Sequence, residues 1–370
     1  MDAEQLTAAL VSIDSVNPDL VPGGAGEAEI AAFVAGWLAD AGLHVEIDEA
    51  APGRPSVIAT ARGTGGGRSL MLNAHMDTVG VDGMARPFKP DVRDGRLYGR
   101  GAYDMKGSLA ACMLAAARVA REGLAGDVIV TGVCDEEYAS IGMQSVLRRT
   151  RTDAAIVTEP TGLRVCVAHK GFVWAEIETA GRAFHGSRPD EGIDAITRMA
   201  PVLSRLAGLQ SSLDASAAHP LVGPGSVHAS LIEGGQELSS YPARCRLSLE
   251  RRTIPGETVE DVRRECEALV EGVEGAELRI GVVREPFEVD RGESVVGAVG
   301  RAAEAVTGRQ PEVVGDTPWM DAALTQAAGI PTVVFGPGGA GAHSVEEWVD
   351  LASVEACAEA LAASARELCA

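Results

Sequence analysis

Five places in this 370-residue sequence set an imidazole or a carboxylate at the end of a run that reads as a buried strand, or on a loop leading to the same sheet edge. His75 and Asp77 follow LMLNA; Asp135, Glu136 and Glu137 follow VIVTGV; Glu159 follows AAIVT. His343 comes after PTVVFGP and a glycine-rich loop, and Asp104 stands in GRGAYDMKG just before a helical stretch. Three consecutive carboxylates repel one another and resist desolvation, so a cation or water must meet them. Taken singly, each residue has an ordinary explanation. The acidic run would open the helix YASIGMQSVLRR and complement its positive end, a lone histidine is commonly a satisfied polar residue, and Glu159 beside Pro160 reads as a solvated loop residue. Five at one edge point to chemistry. Imidazole nitrogens and carboxylate oxygens without thiolates suit zinc, manganese or cobalt, and a mixed set this large suits two ions sharing a bridging carboxylate. Two such ions, about 3.5–4 Å apart, polarise a carbonyl and hold a hydroxide at neutral pH. In the His75-Met76-Asp77 triplet, side chains two apart on an extended chain point the same way. Asp77 is therefore expected to accept the second ring N–H of His75 and fix its tautomer.

The elements that must position these residues alternate. EAEIAAFVAGWLADA (27–41) has apolar side chains at helical spacing and stops at Gly42; HVEIDE and PSVIATA read as strands. Then come a strand at 69–75, a loop with a DG turn at Asp94 and Gly95, and a helix near 106–122. A strand at 127–134, a helix near 138–149 and a strand at 153–158 follow. Strands alternating with helices predict an α/β fold: a mostly parallel sheet with helices on both faces, whose ligands gather at the carboxyl ends of the strands. The middle third differs. Long extended runs, FVWAEIETAGRAF and ARCRLSLERRTI, surround a helix near 192–208 and a Ser/Ala/Gly/Pro-rich loop around 211–226, which predicts an inserted smaller α+β domain. The expected division is 1–171 with 287–370 for the outer domain and 172–286 for the insert. The glycines from Gly63 to Gly67 lack the GK[ST] of a phosphate loop and lead into a strand, so they read as a turn.

A hydrophobic content of 46% with 23% charged residues is that of an ordinary globular protein. The formal net charge of −21 argues against a nucleic-acid or anionic-membrane surface and suits cations. The N-terminal MDAEQLTAALVSID has neither a basic segment nor a long apolar one, and no window reaches membrane-span length, so a cytoplasmic location is expected. The seven cysteines are scattered without a CxxC pair, which fits reduced thiols.

With these residues assembled, the chain resembles the dinuclear-zinc peptidase and amidohydrolase family of acetylornithine deacetylase, succinyl-diaminopimelate desuccinylase, aminoacylase and glutamate carboxypeptidase. The matching segments are LNAHMDTV, GRGAYDMKGSLAA, VCDEE, IVTEPT, HKG, ERRTIPGE, GIPTVVFGPG and AHSVEEWV, in family order over nearly the whole chain. The resemblance implies that His75 and Glu159 hold one metal, Glu137 and His343 the other, that Asp104 bridges them, and that Glu136 is the general base; Asp77, behind His75, is counted with the catalytic residues. It implies two divalent ions, zinc with cobalt or manganese as alternatives. It also implies a homodimer formed through the inserted, lid-like domain, with His185 of GRAFHGSRP reaching across to the developing oxyanion. Arg252, in ERRTIPGE, would bind the substrate carboxylate as a planar fork, with Arg251 as competitor. His169 of the HKG segment is left without a role.

The sequence departs from the family pattern where Trp319 and Met320 precede Asp321, at Ser239 or Ser240, and in the FHGS run. Glu250 also stands where the family has aspartate. These touch substrate choice and not the metal set. The expected activity is hydrolysis of the amide of an N-acyl amino acid or similar small carboxylate-bearing substrate. A carboxypeptidase or dipeptidase of the same family is the alternative, and a non-catalytic ligand-binding homologue the second. A glycosidase is disfavoured, because neighbours at 136 and 137 do not by themselves flank a sugar bond.

Overall fold

The computed structural model describes residues 1–370. Two compact units are formed. One comprises Met1–Val167, Val289–Val314 and Met320–Ala370; the other comprises Ala168–Glu288 and Gly315–Trp319. The short segment ending at Trp319 thus belongs with the inserted unit, where the sequence pattern had kept 287–370 in one piece.

The first unit is built on a sheet whose strands run in the order His44–Ala51, Arg54–Ala61, Val128–Val133, Leu70–His75, Ala154–Val157, Thr332–Val334 and Val165–His169. The inner pairings, from Val128–Val133 through Thr332–Val334, are parallel. The pairings at both margins are antiparallel. Parallel strands need covered crossovers, and helices Gly107–Val119 and Ile141–Arg149 supply them. Because both faces are covered, the inner strands LMLNAH, VIVTGV and AAIV are buried at every residue. On one face Ile58, Met71, Ile129, Val133 and Ala155 pack with Met143, Val146 and Leu147 of the second helix. On the other lies Gly107–Val119, which is itself covered by helices Ala3–Val11 and Leu351–Leu368. That double burial explains why its sequence, GSLAACMLAAARV, is small and apolar nearly all round.

A small antiparallel sheet that the sequence did not announce joins Gly339–Ala340, Trp348–Asp350, Arg96–Tyr98 and Asp91–Arg93. The DG turn closes its hairpin, with both Asp94 and Gly95 at positive φ (48° and 75°), as a two-residue turn of this twist requires. It brings the segment before Asp104 and the segment after His343 side by side.

The second unit is a four-stranded antiparallel sheet in the order Ser226–Gly234, Arg244–Thr253, Gly171–Ala180 and Ala276–Arg284. Helices Ala195–Ala215 and Val259–Val270 bury one face around Ile177, Leu247, Leu249, Val202 and Val262. The first of these helices continues through Ser211 and Ser212, into the stretch expected to be loop. Leu206, Leu209 and Leu213 carry its apolar stripe onward, and Gln210 donates to Asp214 at 2.6 Å. No helix in the molecule is long and apolar enough to cross a membrane.

Candidate metal centre

His75 ends the strand Leu70–His75, Glu159 lies two residues past Ala154–Val157, and the acidic loop follows Val128–Val133. These three parallel neighbours therefore deliver their polar residues to one sheet edge. Asp104 arrives from a π-helical turn, Ala102–Lys106, in which Asp104 (φ −120°, ψ 92°) and Met105 are not helical. His343, at φ 59°, comes from the loop after Thr332–Val334. Two sets result. Ligand atoms of His75, Asp104 and Glu159 lie within 4.8 Å of one another, and so do those of Asp104, Glu137 and His343. Asp104 belongs to both. Its Oδ1 is 3.1 Å from His75 Nε2 and its Oδ2 is 3.4 Å from His343 Nε2. Glu137 Oε2 is 3.0 Å from His343 Nε2, and Glu159 Oε1 is 3.9 Å from His75 Nε2.

Burial is costly for so many carboxylates. It raises the pKa of Glu136 well above the ordinary range, with the Glu159 charge adding to it, and it pushes Glu137 up to about 7 with help from Asp104. Glu159 is raised well above its usual value, chiefly by burial. His343 is pushed up to about 10 by its bonds to Asp104 and Glu137. Burial opposes protonation of His75, but the Asp104 hydrogen bond and the Glu159 charge still hold its pKa well above ordinary. The cluster thus attracts positive charge. Glu137 Oε1 is buried with no hydrogen-bond partner, a free lone pair in the second set. Nitrogen and oxygen donors sharing one carboxylate fit two borderline or hard divalent ions. Cys134, the nearest thiol in sequence, is engaged with Ser56 and the Arg54 carbonyl instead.

Asp77 acts differently from the sequence expectation. His75 Nδ1 lies 2.9 Å from the Asp77 main-chain carbonyl, while the carboxylate is farther, at 3.6 Å. The tautomer is fixed by that carbonyl. The Asp77 carboxylate instead accepts the backbone N–H groups of Glu136 (3.1 Å) and Glu137 (3.2 Å), and so aims the acidic loop. Asn17 donates to Asp77 at 2.8 Å and to Asp135 at 3.0 Å. Asp135 turns away from the centre to Arg54, at 3.0 Å, and Arg54 also forks onto buried Glu27 at 2.7 and 2.8 Å. Of the three consecutive carboxylates, the first is structural. Asn17, Arg54 and Glu27 had no local sequence signal. Asp321, fully buried and pushed up to about 7 by burial, is a further carboxylate whose charge is felt at Glu136 and Glu159. Its sequence context, between Met320 and two alanines, gave it no role.

In the second unit, Arg251 is buried and consumed by Glu257 and Glu265, with contacts from 2.6 to 3.1 Å. Arg252 lies over the Phe172 ring, 5.2 Å from its centroid, with Nε on Glu250 at 2.7 Å. Trp319 meets Phe172 and His169 edge-on, and His169 stacks on Phe287 at 5.1 Å. His185 is exposed, and its Nδ1 pairs with Ser187 Oγ at 2.8 Å.

A mixed α/β sheet with imidazoles and carboxylates converging at its carboxyl edge is the architecture of a metal-dependent hydrolase. Residues 71–367 match the model of peptidase family M20/M25/M40, and the chain belongs to that family, whose members hydrolyse amide bonds. It is 33% identical over 339 residues to acetylornithine deacetylase from Myxococcus xanthus, covering 87% of this chain and 86% of that protein. Among solved structures it resembles an M20 family metallo-carboxypeptidase from Sulfolobus solfataricus (TM-score 0.81, 18% identity, 99% of each chain). It also resembles a dinuclear metal binding peptidase of the M20 family from Bacillus subtilis (TM-score 0.76, 19% identity, 99% of this chain and 97% of that one).

Proposed function

We propose that the protein is a metal-dependent amidohydrolase that cleaves the amide of an N-acyl amino acid or a similar small carboxylate-bearing substrate, releasing a carboxylic acid and an amine. The observation that carries this is the pair of three-residue sets meeting at Asp104. The likeness to an acetylornithine deacetylase supports the substrate class. His75 and Glu159 would hold one ion, Glu137 and His343 the other, and Asp104 would bridge them. Zinc suits the donors, with cobalt or manganese able to replace it. Bound there, two divalent ions supply Lewis acidity, polarising the scissile carbonyl and lowering the pKa of the attacking water.

Glu136 takes a proton from that water and returns it to the leaving nitrogen. A carboxylate whose pKa is raised by burial and by Glu159 suits that exchange near neutral pH. Asp77 keeps Glu136 in place through its backbone N–H. Arg252, partly exposed with its Nε on Glu250, is the candidate fork for the substrate carboxylate in place of the buried Arg251. His185 would donate to the oxyanion from a second copy of the chain, an interaction worth about 3–4 kcal/mol when such donors are removed. Edge strand Ser226–Gly234 supports a homodimer: nearly all of it is exposed, with Leu231 at 66% and Ile232 at 52%, an unpaired edge that a second copy would cover. The seven free cysteines support a reducing, cytoplasmic location.

The test is amine release from N-acetyl, N-succinyl and N-aroyl amino acids and from dipeptides, using chelator-stripped protein with and without zinc or cobalt. Metal-restored hydrolysis of the acyl amino acids is expected; turnover of dipeptides alone would make it a peptidase instead. Glu136→Gln should keep its metal and lose turnover by about 10²–10⁴-fold; full activity in that variant would remove Glu136 from the mechanism. For the dimer, sedimentation of Leu231→Glu should show a monomer of normal metal content and little activity. A fully active monomer would overturn the role of His185.

A further inference from the structure

Glu347 is neither a candidate metal ligand nor close in sequence to Asp104, yet its side chain is completely buried against the Asp104 turn. One oxygen, Oε1, accepts the backbone N–H groups of Tyr103 (2.9 Å) and Asp104 (3.0 Å). The other, Oε2, accepts Arg100 Nη1 (2.6 Å) and the Gly101 N–H (3.0 Å). Four donors on one buried carboxylate satisfy it fully. They also solve a problem of the turn. Asp104 departs from helical geometry, so its N–H and that of Tyr103 cannot rely on a regular helical ladder, and unpaired buried N–H groups are costly.

The same side chain reaches the other ligand loops. Glu347 lies four residues after His343 on one loop. Its partner Arg100 donates Nη2 to the Ser344 carbonyl (3.1 Å) and Nε to the Gly80 carbonyl (3.0 Å), three residues past Asp77. There is no slack between these segments. A Cβ on Gly101 would come within 2.7 Å of Thr78 Cγ2, and one on Gly341 within 1.9 Å of the Glu346 carbonyl.

We propose that Glu347, through Arg100, is a positioning residue that preforms the shared corner of the two metal sites, fixing Asp104 between His75 and His343. This rests on the two sets being metal sites. Residues that orient ligands from behind typically change metal affinity by about 10–100-fold when altered. Glu347→Gln keeps size and one acceptor but sets an NH2 group against Arg100 or the backbone donors. It should fold, melt without metal near the wild-type temperature, and bind two cobalt ions about 10–100-fold more weakly, with altered visible absorption from the shifted ligands. Arg100→Lys, which keeps the charge but loses the fork to Ser344 and Gly80, should move affinity and spectrum the same way. It carries the test if the glutamine variant does not fold. Cobalt affinity and spectrum unchanged in the folded variants, whatever their melting temperatures, would overturn the proposal and leave Glu347 as simple packing. Wild-type protein that takes up no cobalt would instead overturn the metal-centre reading.

Discussion

Arg251 and Arg252 are consecutive residues of an extended strand, so their side chains leave on opposite faces of the sheet. Arg251 points to the helical face, where Glu257 and Glu265 close around it. Arg252 points to the open face, opposite Phe172 in register, with its side chain 32% exposed beside Glu250. Their substitutions should separate cleanly. Arg251→Ala strands two carboxylates and is expected to cost about 3–5 kcal/mol in urea unfolding. Arg252→Ala should shift stability by about 1 kcal/mol at most and raise KM for a carboxylate-bearing substrate. Equal stability losses, or an unchanged KM in the second variant, would remove Arg252 from substrate binding. The acidic loop divides its labour in the same way, with Asp135 turned to Arg54 while Glu136 and Glu137 are held by Asp77.

Among the elements, one buried network joins the start of helix Ala28–Asp40, at Glu27, to the first residue of strand Arg54–Ala61 and to the acidic loop. Glu27 and Asp135 are essentially unexposed, and Arg54 is the cation that bonds them both. Arg54→Met should cost about 3–5 kcal/mol, because it leaves two buried carboxylates unpaired. Chemical denaturation of the metal-free protein would measure it, and a loss under about 1 kcal/mol would mean that water takes over the pairing. This network also marks where the sequence stops being legible. His75, Glu137 and Glu159 were visible because each ends, or follows within four residues, a strand whose apolar run is local. The inner sheet was visible for the same reason. Asn17, Arg54 and Glu347 act through partners 27 to 247 residues away, across loops with no periodic pattern. The small sheet that unites the Asp104 and His343 segments is made of strands of two or three residues, too short to alternate. The HxD triplet misled for a related reason: the chain leaves its strand at His75, so Asp77 no longer sits at an i+2 strand position.

At the scale of the whole molecule, the candidate metal centre should govern how stability depends on pH. Without ions, the folded chain holds Glu137 and Asp321 up to about 7, chiefly through burial, against ordinary values of 4.5 and 3.8, and Glu136 and Glu159 are raised as well. These carboxyls bind protons more tightly folded than unfolded. Between about pH 4.5 and 7 the folded state therefore carries the extra protons, and stability must fall as pH rises through that window. Lys106, pushed down to about 7 by burial, works in the opposite sense only above that pH. Asp104, held low by His343 and His75 despite its burial, matters only in strong acid. Self-repulsion from the net charge of −21 also weakens the protein as pH rises, but it acts on stripped and loaded protein alike. The informative quantity is the difference between the two. Bound cations compensate the carboxylates and displace their protons, so the gain in Tm on metal loading should grow from about pH 4.5 to 7, with protons released on binding. Calorimetry of both forms across this window would measure that gain. A gain independent of pH would show that the carboxylates already carry their charge in the stripped protein, and that another cation or water offsets them.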